Sequence, residues 1–406
     1  MLRNTMPLKV FTIVCLAACG QFVTTGADVV AAEQSSVTFQ KIALGVSPNE
    51  GCAVADVDQD GKLDVIAGRN WFAAPDFAAR PLRNIEEFGE DYLKNNGDHV
   101  YDVNGDGWID VISGDWHGEE IFWYENPGKV GLTKGLLWKP HLLKKTRSRN
   151  EAYFLQDLDG DDVPEIVVDC WETEAPLVAW KLISSEEGPT LEQHVLGNNG
   201  CGHGMAFGDV NGDGHDDILT LVGWYEHPGS DPLSKEWKHH ASWNRPHGSC
   251  PFLVVDLTGD GRNDVIWGNG HDYGLYWLEQ LDTDEDDTAW KEHLIDRSYS
   301  QTHCLHWADI DGDGAGELIT GKRVRGHAGR DPGGVEPECL YYYEWNQANQ
   351  KFERHLISAG EGIGTGMQIR TADLNNDGKL DIAVSGKSGT WVLLNRGVEK
   401  SPATAK

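Results

Sequence analysis

Asp56-Val57-Asp58-Gln59-Asp60-Gly61-Lys62-Leu63-Asp64, running straight into Val65-Ile66-Ala67-Gly68, is the stretch on which the fold turns. Its pattern is Asp-x-[Asp/Asn/Thr]-x-Asp-Gly-x-x-[Asp/Glu] followed by an apolar run, and it returns at Asp102, Asp157, Asp209, Asp256, Asp309 and Asp373. The intervals between copies run from 46 to 64 residues, which is the period of propeller blades rather than of solenoid turns.

Outward from each copy, three further signals recur. An apolar segment follows the loop, as in Ile218-Leu219-Thr220-Leu221. Next comes an aromatic segment such as Ile121-Phe122-Trp123-Tyr124-Glu125, and last one around a histidine, such as Trp138-Lys139-Pro140-His141. Four strands per repeat and seven repeats predict an all-β, seven-bladed β-propeller. The seventh repeat stops after its third strand, Thr390 to Leu394, while Phe39 to Leu44 reads like the missing fourth. The N-terminal segment is therefore expected to close the last blade and leave no open edge. On this reading the propeller spans 35–397, between a leader with its linker at 1–34 and a tail at 398–406.

The 406 residues carry 34 Lys plus Arg against 65 Asp plus Glu, a formal charge of −31, which excludes a nucleic-acid binder held by phosphate contacts. Arg3 and Lys9 precede an apolar run from Val10 to Ala18 that is too short to span a bilayer but suits a secretory leader. The protein is expected to be secreted, periplasmic or at the cell surface. Leu16-Ala17-Ala18-Cys19-Gly20 resembles a lipobox, so a lipid on Cys19 is one alternative and cleavage after Ala27 or Ala32 the other. Only such an anchor would link the chain to a membrane. Disulfides are permitted there among Cys52, Cys170, Cys201, Cys250, Cys304 and Cys339, with no pairing specified, and the lack of any CxxC spacing argues against a zinc site.

Positions 1, 3, 5 and 9 of every loop carry oxygen side chains. They are Asp56, Asp58, Asp60 and Asp64; Asp102, Asn104, Asp106 and Asp110; Asp157, Asp159, Asp161 and Glu165; Asp209, Asn211, Asp213 and Asp217; Asp256, Thr258, Asp260 and Asp264; Asp309, Asp311, Asp313 and Glu317; and Asp373, Asn375, Asp377 and Asp381. Ca²⁺ takes about six to eight hard oxygen ligands, so the loops are candidate structural calcium sites, up to seven in all. Position 12 of the first loop is Ala67 rather than a bidentate Glu, and the flanks read as strands, so the site is a β-loop-β turn and not an EF-hand. Asp and Gly also make good turns without metal. Seven copies in register favour calcium. The third loop, with Asp162 in place of Gly, and the fifth, with Thr258, are expected to be the weakest.

These repeats resemble the FG-GAP/VCBS repeats of secreted and integrin-type propellers over essentially the whole mature chain. A second resemblance is to the propeller domain of aldos-2-ulose dehydratase and related carbohydrate-active proteins. It runs through Gly202-His203-Gly204 with Gly208-Asp209-Val210-Asn211, through Gly223-Trp224-Tyr225-Glu226-His227-Pro228, and through Ala308-Asp309-Ile310-Asp311 with Thr320-Gly321-Lys322-Arg323. The cupin domains that accompany that propeller have no room here, which leaves a second catalytic step outside the expectation.

Residues repeated in every blade are architecture, and polar residues that break the repeat are candidates for function. His141, His194, His239 or His240, His293 and His355 recur on the outer strand and are read as structural. Six residues before each first Asp stand Glu50, Asn96, Glu151, His203, Cys250, His303 and Met367, at the mouth of the inner strand. The same face receives Trp116, His117, Trp171, His247, His271, Lys322 and Arg323. Lys144, Lys145, Arg147, Arg149, Arg245, Arg325 and Arg330 complete a basic rim there, which would favour an anionic or carbonyl-bearing ligand; the alternative is that the loops are simply charged and solvated.

Elimination of water or a glycosidic oxygen β to a carbonyl needs a base for the α-proton and a stabiliser for the enolate. His203 or His303 would act as base or acid, and Lys322 and Arg323 would meet the oxyanion. Trp116, Trp171 or Trp224 would stack on a sugar, and Glu151, His117, His247 and His271 would complete the binding set. The expectation is a carbohydrate lyase or dehydratase acting on keto or uronic sugars. The alternatives are a non-catalytic propeller that binds a glycan or a protein, or a scaffolding surface lipoprotein.

Overall fold

Each Asp-rich loop joins the first and second strands of an antiparallel four-stranded sheet, and its ninth residue opens the second strand. In this computed structural model, residues 35–400 are described apart from 90–91, 117, 147–148, 171–174, 200–201 and 283–288. The first blade is formed by Ala53–Ala55, Asp64–Ala67, Asn70–Ala73 and Ala78–Pro81, and the fifth by Leu253–Val255, Asp264–Gly268, Tyr273–Leu281 and Ala289–Ser300. Seven such sheets form the propeller, as the repeat count predicts. In the seventh, Ile369–Ala372, Asp381–Gly386 and Gly389–Lys400 are followed in strand order by Ser35–Gly45 from the other end of the chain.

The ninth loop residue explains why the repeat is so regular. Asp64 is buried, and it accepts the Val57 amide at 3.0 Å on one oxygen and the Ala74 amide at 2.8 Å on the other, tying the loop to the third strand. Asp110, Asp217, Asp264 and Asp381 repeat both bonds. The outer-strand histidines are architecture of another kind. His293 stacks on Trp277 with ring centroids 4.2 Å apart and bonds Glu279 at 2.7 Å, while His141 on Trp123 and His240 on Trp224 do the same with Glu125 and Glu226.

The core lies between blades. Side chains of neighbouring sheets interdigitate in seven buried clusters, for example Ile112 and Trp123 against Tyr153 and Ile166, or Val65 and Phe72 against Ala383 and Val392. First strands of neighbouring blades lie side by side around the axis, that of the last meets that of the first, and between the third and fourth blades Phe154 meets Phe207. Cys52, Cys250, Cys304 and Cys339 are buried free thiols, and Cys170 is buried; Cys201 and the leader with Cys19 lie outside the described residues. Among the described residues no helix is long and apolar enough to cross a membrane.

Candidate functional site

The entry positions of the inner strands converge at the axis on the face opposite the Asp-rich loops. Ala152, Cys250 and Met367, from three different blades, pack together there. Beside them the Nε2 atom of His203 lies 2.9 Å from Nε2 of His271 and 3.0 Å from Nε2 of His303. An oxygen of Glu151 stands 3.5 Å from the first of these nitrogens and 4.0 Å from that of His303. All four side chains are buried. Glu151 stands at the start of the inner strand Asn150–Gln156, and His203 and His303 each precede one, whereas His271 comes from the turn between the second and third strands of the fifth blade. Gly270 in that turn leaves room for the cluster, because a Cβ there would sit 3.2 Å from both the His203 and the His303 ring.

Hydrogen bonds on the far side of the rings orient two of them. Nδ1 of His203 donates to the Gly248 carbonyl at 3.0 Å, and Nδ1 of His271 lies 2.8 Å from a carboxylate oxygen of Asp331. With those protons on Nδ1, the Nε2 lone pairs point into one small volume. Burial works against a charged His203, but the Glu151 carboxylate beside it outweighs burial and raises its pKa above the ordinary value. Glu151 is held down to about 2 because His203 overcomes its own burial. Burial, then the charge of His203, pushes His271 down to about 3; burial and Arg323 push His303 well below its ordinary value. Of the three imidazoles, His203 is the one whose charged form its surroundings favour, through the Glu151 carboxylate beside it. Three imidazoles, two of them with their outer nitrogens fixed by a carbonyl or a carboxylate, form a ligand set suited to a divalent transition metal, which sets such nitrogens about 3.3 Å apart in a tetrahedral site. Spreading the rings by a few tenths of an ångström would reach that spacing.

Above the cluster lies a cavity of about 350 Å³ lined by Tyr92, Trp116, His247, Arg323 and His327 with the histidines below. Trp116 meets Tyr92 and Phe88 at centroid distances of 5.4 and 5.7 Å, giving an aromatic wall. His327 and Asp331 come from the long insertion of the sixth blade. Nδ1 of His327 lies 2.9 Å from Asp331, and its ring stacks on His271 at 4.5 Å. Its Nε2 and both ring nitrogens of His247 have no hydrogen-bond partner among the described residues.

Several residues singled out from sequence stand elsewhere. Lys322 is fully buried and donates to Ser300 Oγ at 2.9 Å and to the Gly333 carbonyl at 2.6 Å, so it anchors the insertion instead of facing the cavity. Arg323 does line the cavity, but its Nε and Nη2 donate to the two oxygens of Glu50 at 2.7 and 2.8 Å. Trp224 is buried between the fourth and fifth blades, stacked on His240, and presents no face to a sugar. His117, Trp171 and Arg147 lie outside the described residues. Arg323 and His203 are matched by Glu50 and Glu151, and Asp331 adds a further carboxylate beside them. Asp331, His327 and Tyr92 carry no role in the sequence reading; His327 is one of the histidines outside the blade repeat, and the signal for Asp331 is the length of the insertion that bears both.

The Asp-rich loops differ among themselves. Asp309, Asp311, Asp313 and Glu317 bring four carboxylates within 4.8 Å of one another, and Asp56, Asp58 and Asp64 bring three. In the third loop the ammonium of Lys181 sits among Asp159, Asp161 and Glu165 at 2.6, 2.7 and 3.2 Å. A cation is already supplied there by the chain.

Solved structures similar to this chain include the V. cholerae biofilm matrix protein Bap1, at 10% identity and a TM-score of 0.42, covering 91% of this chain and 92% of that one. Another is BBS1N in complex with ARL6DN, at 12% identity and a TM-score of 0.49, covering 90% and 97%. No curated protein matches the sequence. The FG-GAP-like repeat matches residues 102–168 and 256–320, each running from one Asp-rich loop to the second strand of the next blade, so the chain is a seven-bladed β-propeller carrying FG-GAP-like repeats.

Proposed function

We propose that the mouth of this propeller is a metal-dependent lyase site that eliminates water, or a glycosidic oxygen, β to the carbonyl of a keto sugar. What carries the reading is the convergence of the His203, His271 and His303 Nε2 atoms at 2.9–3.0 Å, with Glu151 beside them. A divalent metal ion held by these residues would polarise a carbonyl oxygen as a Lewis acid. The absence of a CxxC spacing does not bear on it, because the ligands are histidines from three separate blades.

The remaining roles follow from what each side chain has free. Burial, then the charge of His203, holds His247 below its ordinary pKa, which favours the neutral imidazole that would take the α-proton. The electron pair of the broken C–H bond forms the C=C bond as the β C–O bond breaks. His327, oriented by Asp331, protonates the departing oxygen. Trp116 and Tyr92 offer the aromatic wall for the apolar face of the ring. Since Arg323 is already paired with Glu50 and Lys322 is buried, the charge balance favours a neutral keto sugar over a uronide.

The test is to measure metal content and to follow the absorbance of a conjugated product with a panel of neutral keto sugars and uronides. About one transition-metal ion per chain is expected, lost in His271→Ala together with turnover, while His327→Ala keeps the metal and loses about 10²–10⁴-fold in kcat. No product from any panel member would sink the lyase reading.

We also propose that the loops at Asp56 and Asp309 hold structural calcium, supported by their clustered carboxylates, and that the third loop does without it because Lys181 fills the same space. The leader at 1–34 supports a secreted, periplasmic or surface location, with a lipid at Cys19 as one form of it.

A further inference from the structure

The central channel contains a second cavity, of about 310 Å³, which shares no lining residue with the mouth. That volume is at the lower end of the range for small-molecule sites, about 300–1,000 Å³. Its walls mix polar and apolar surface, the apolar part including Phe154, Phe207 and Phe252, with the first two in ring contact at 5.5 Å. The cation on it is Arg370, half-buried in the inner strand Ile369–Ala372. Its only hydrogen bond among the described residues goes to the carbonyl of Ile369 at 3.1 Å, and it forms no ion pair there.

The neighbours of Arg370 add no competing charge. Nε2 of His99 accepts from Gln368 at 3.2 Å, and Nε2 of His306 lies 2.9 Å from the Thr371 hydroxyl. Burial, together with the charge of Arg370, pushes these two histidines down to about 3 and about 4, so both are neutral. A partly desolvated guanidinium without a carboxylate is an unfinished ion pair. An aromatic-walled cavity around it sets what can complete the pair.

The geometry points to a binding site for a small carboxylate with an apolar body, its carboxylate on Arg370 and its hydrocarbon or aromatic part against Phe154, Phe207 and Phe252. The site is independent of the histidine cluster and would stand if the lyase reading failed.

Phenylacetate and inorganic phosphate, titrated calorimetrically into the full chain and into Arg370→Gln and Arg370→Lys variants, test this. Arg370→Gln is expected to keep the parent melting temperature, because no side chain depends on Arg370. Phenylacetate is expected to bind the parent, about tenfold or more weakly to Arg370→Gln, and with intermediate strength to Arg370→Lys. Metal content at the mouth should be unchanged in both variants. Absence of phenylacetate binding, equal binding by Arg370→Gln, or phosphate binding as tight as phenylacetate would each overturn the proposal.

Discussion

His271 keeps its two ring nitrogens in different surroundings, Nδ1 against the Asp331 carboxylate and Nε2 against His203, and that split is what makes the cluster a ligand set. Its neighbour Gly270 is needed for the same reason. A methyl group there would stand 3.0 Å from the Gly248 carbonyl and 3.2 Å from two imidazoles, and the Gly248 carbonyl is what orients His203. Gly270→Ala is expected to weaken metal binding by about 10–100-fold, the usual effect of disturbing the groups behind a ligand. Metal titration of the apo-protein measures it, and unchanged affinity would show that the rings tolerate the displacement. At this scale the sequence was partly legible. His203 and His303 stood out because they break a seven-fold repeat. Lys322 and Arg323 misled because a charge in a sequence does not announce its partner, and Glu50 lies 273 residues from Arg323.

In the β-loop-β element, burial followed by the neighbouring carboxylates pushes the ninth residue up, to about 7 in Asp64, Asp110 and Asp217, about 6 in Asp264 and about 8 in Glu317, against the pull of the backbone amides they accept. An acid whose pKa is raised by folding holds its proton more tightly in the folded state. Its contribution to stability is full below about pH 4 and is lost as pH rises through the raised values. A calcium ion would replace that proton and relieve the repulsion. Chelation is therefore expected to lower the melting temperature strongly at pH 8 and little at pH 5, and an equal effect at both would show that the loops are turns only. Which loops leave room for an ion is not legible locally. Lys181 reaches the third loop from the third strand of its blade, and only strand pairing brings it there.

For the whole molecule, stability rests on a ring in which every blade buries its faces against two others. The last sheet takes its outer strand from Ser35–Gly45, where Val37 is buried and its amide donates to the Tyr342 hydroxyl of the neighbouring blade at 2.9 Å. Removing residues 1–45 would expose the edge of Gly389–Lys400 and unseat that contact. The truncated chain is expected to aggregate or to melt over a broad range; a monomer that melts as sharply as the full chain would show the strand to be dispensable. Size-exclusion chromatography and calorimetry distinguish these outcomes.

By itself the sequence determined the blade count, the strand order and the face on which the inner strands begin, because each is set by a period or by short-range pairing. Which side chains meet at the axis was decided only by closing the ring. That closure brings together Glu151, His203 and His303 from three blades, adds His271 and Asp331 from loops with no periodic signature, and neutralises the arginine that looked free. The physical reason is that a hydrogen bond or an ion pair depends on distance in space, and in a propeller the residues nearest the axis are separated in sequence by whole blades.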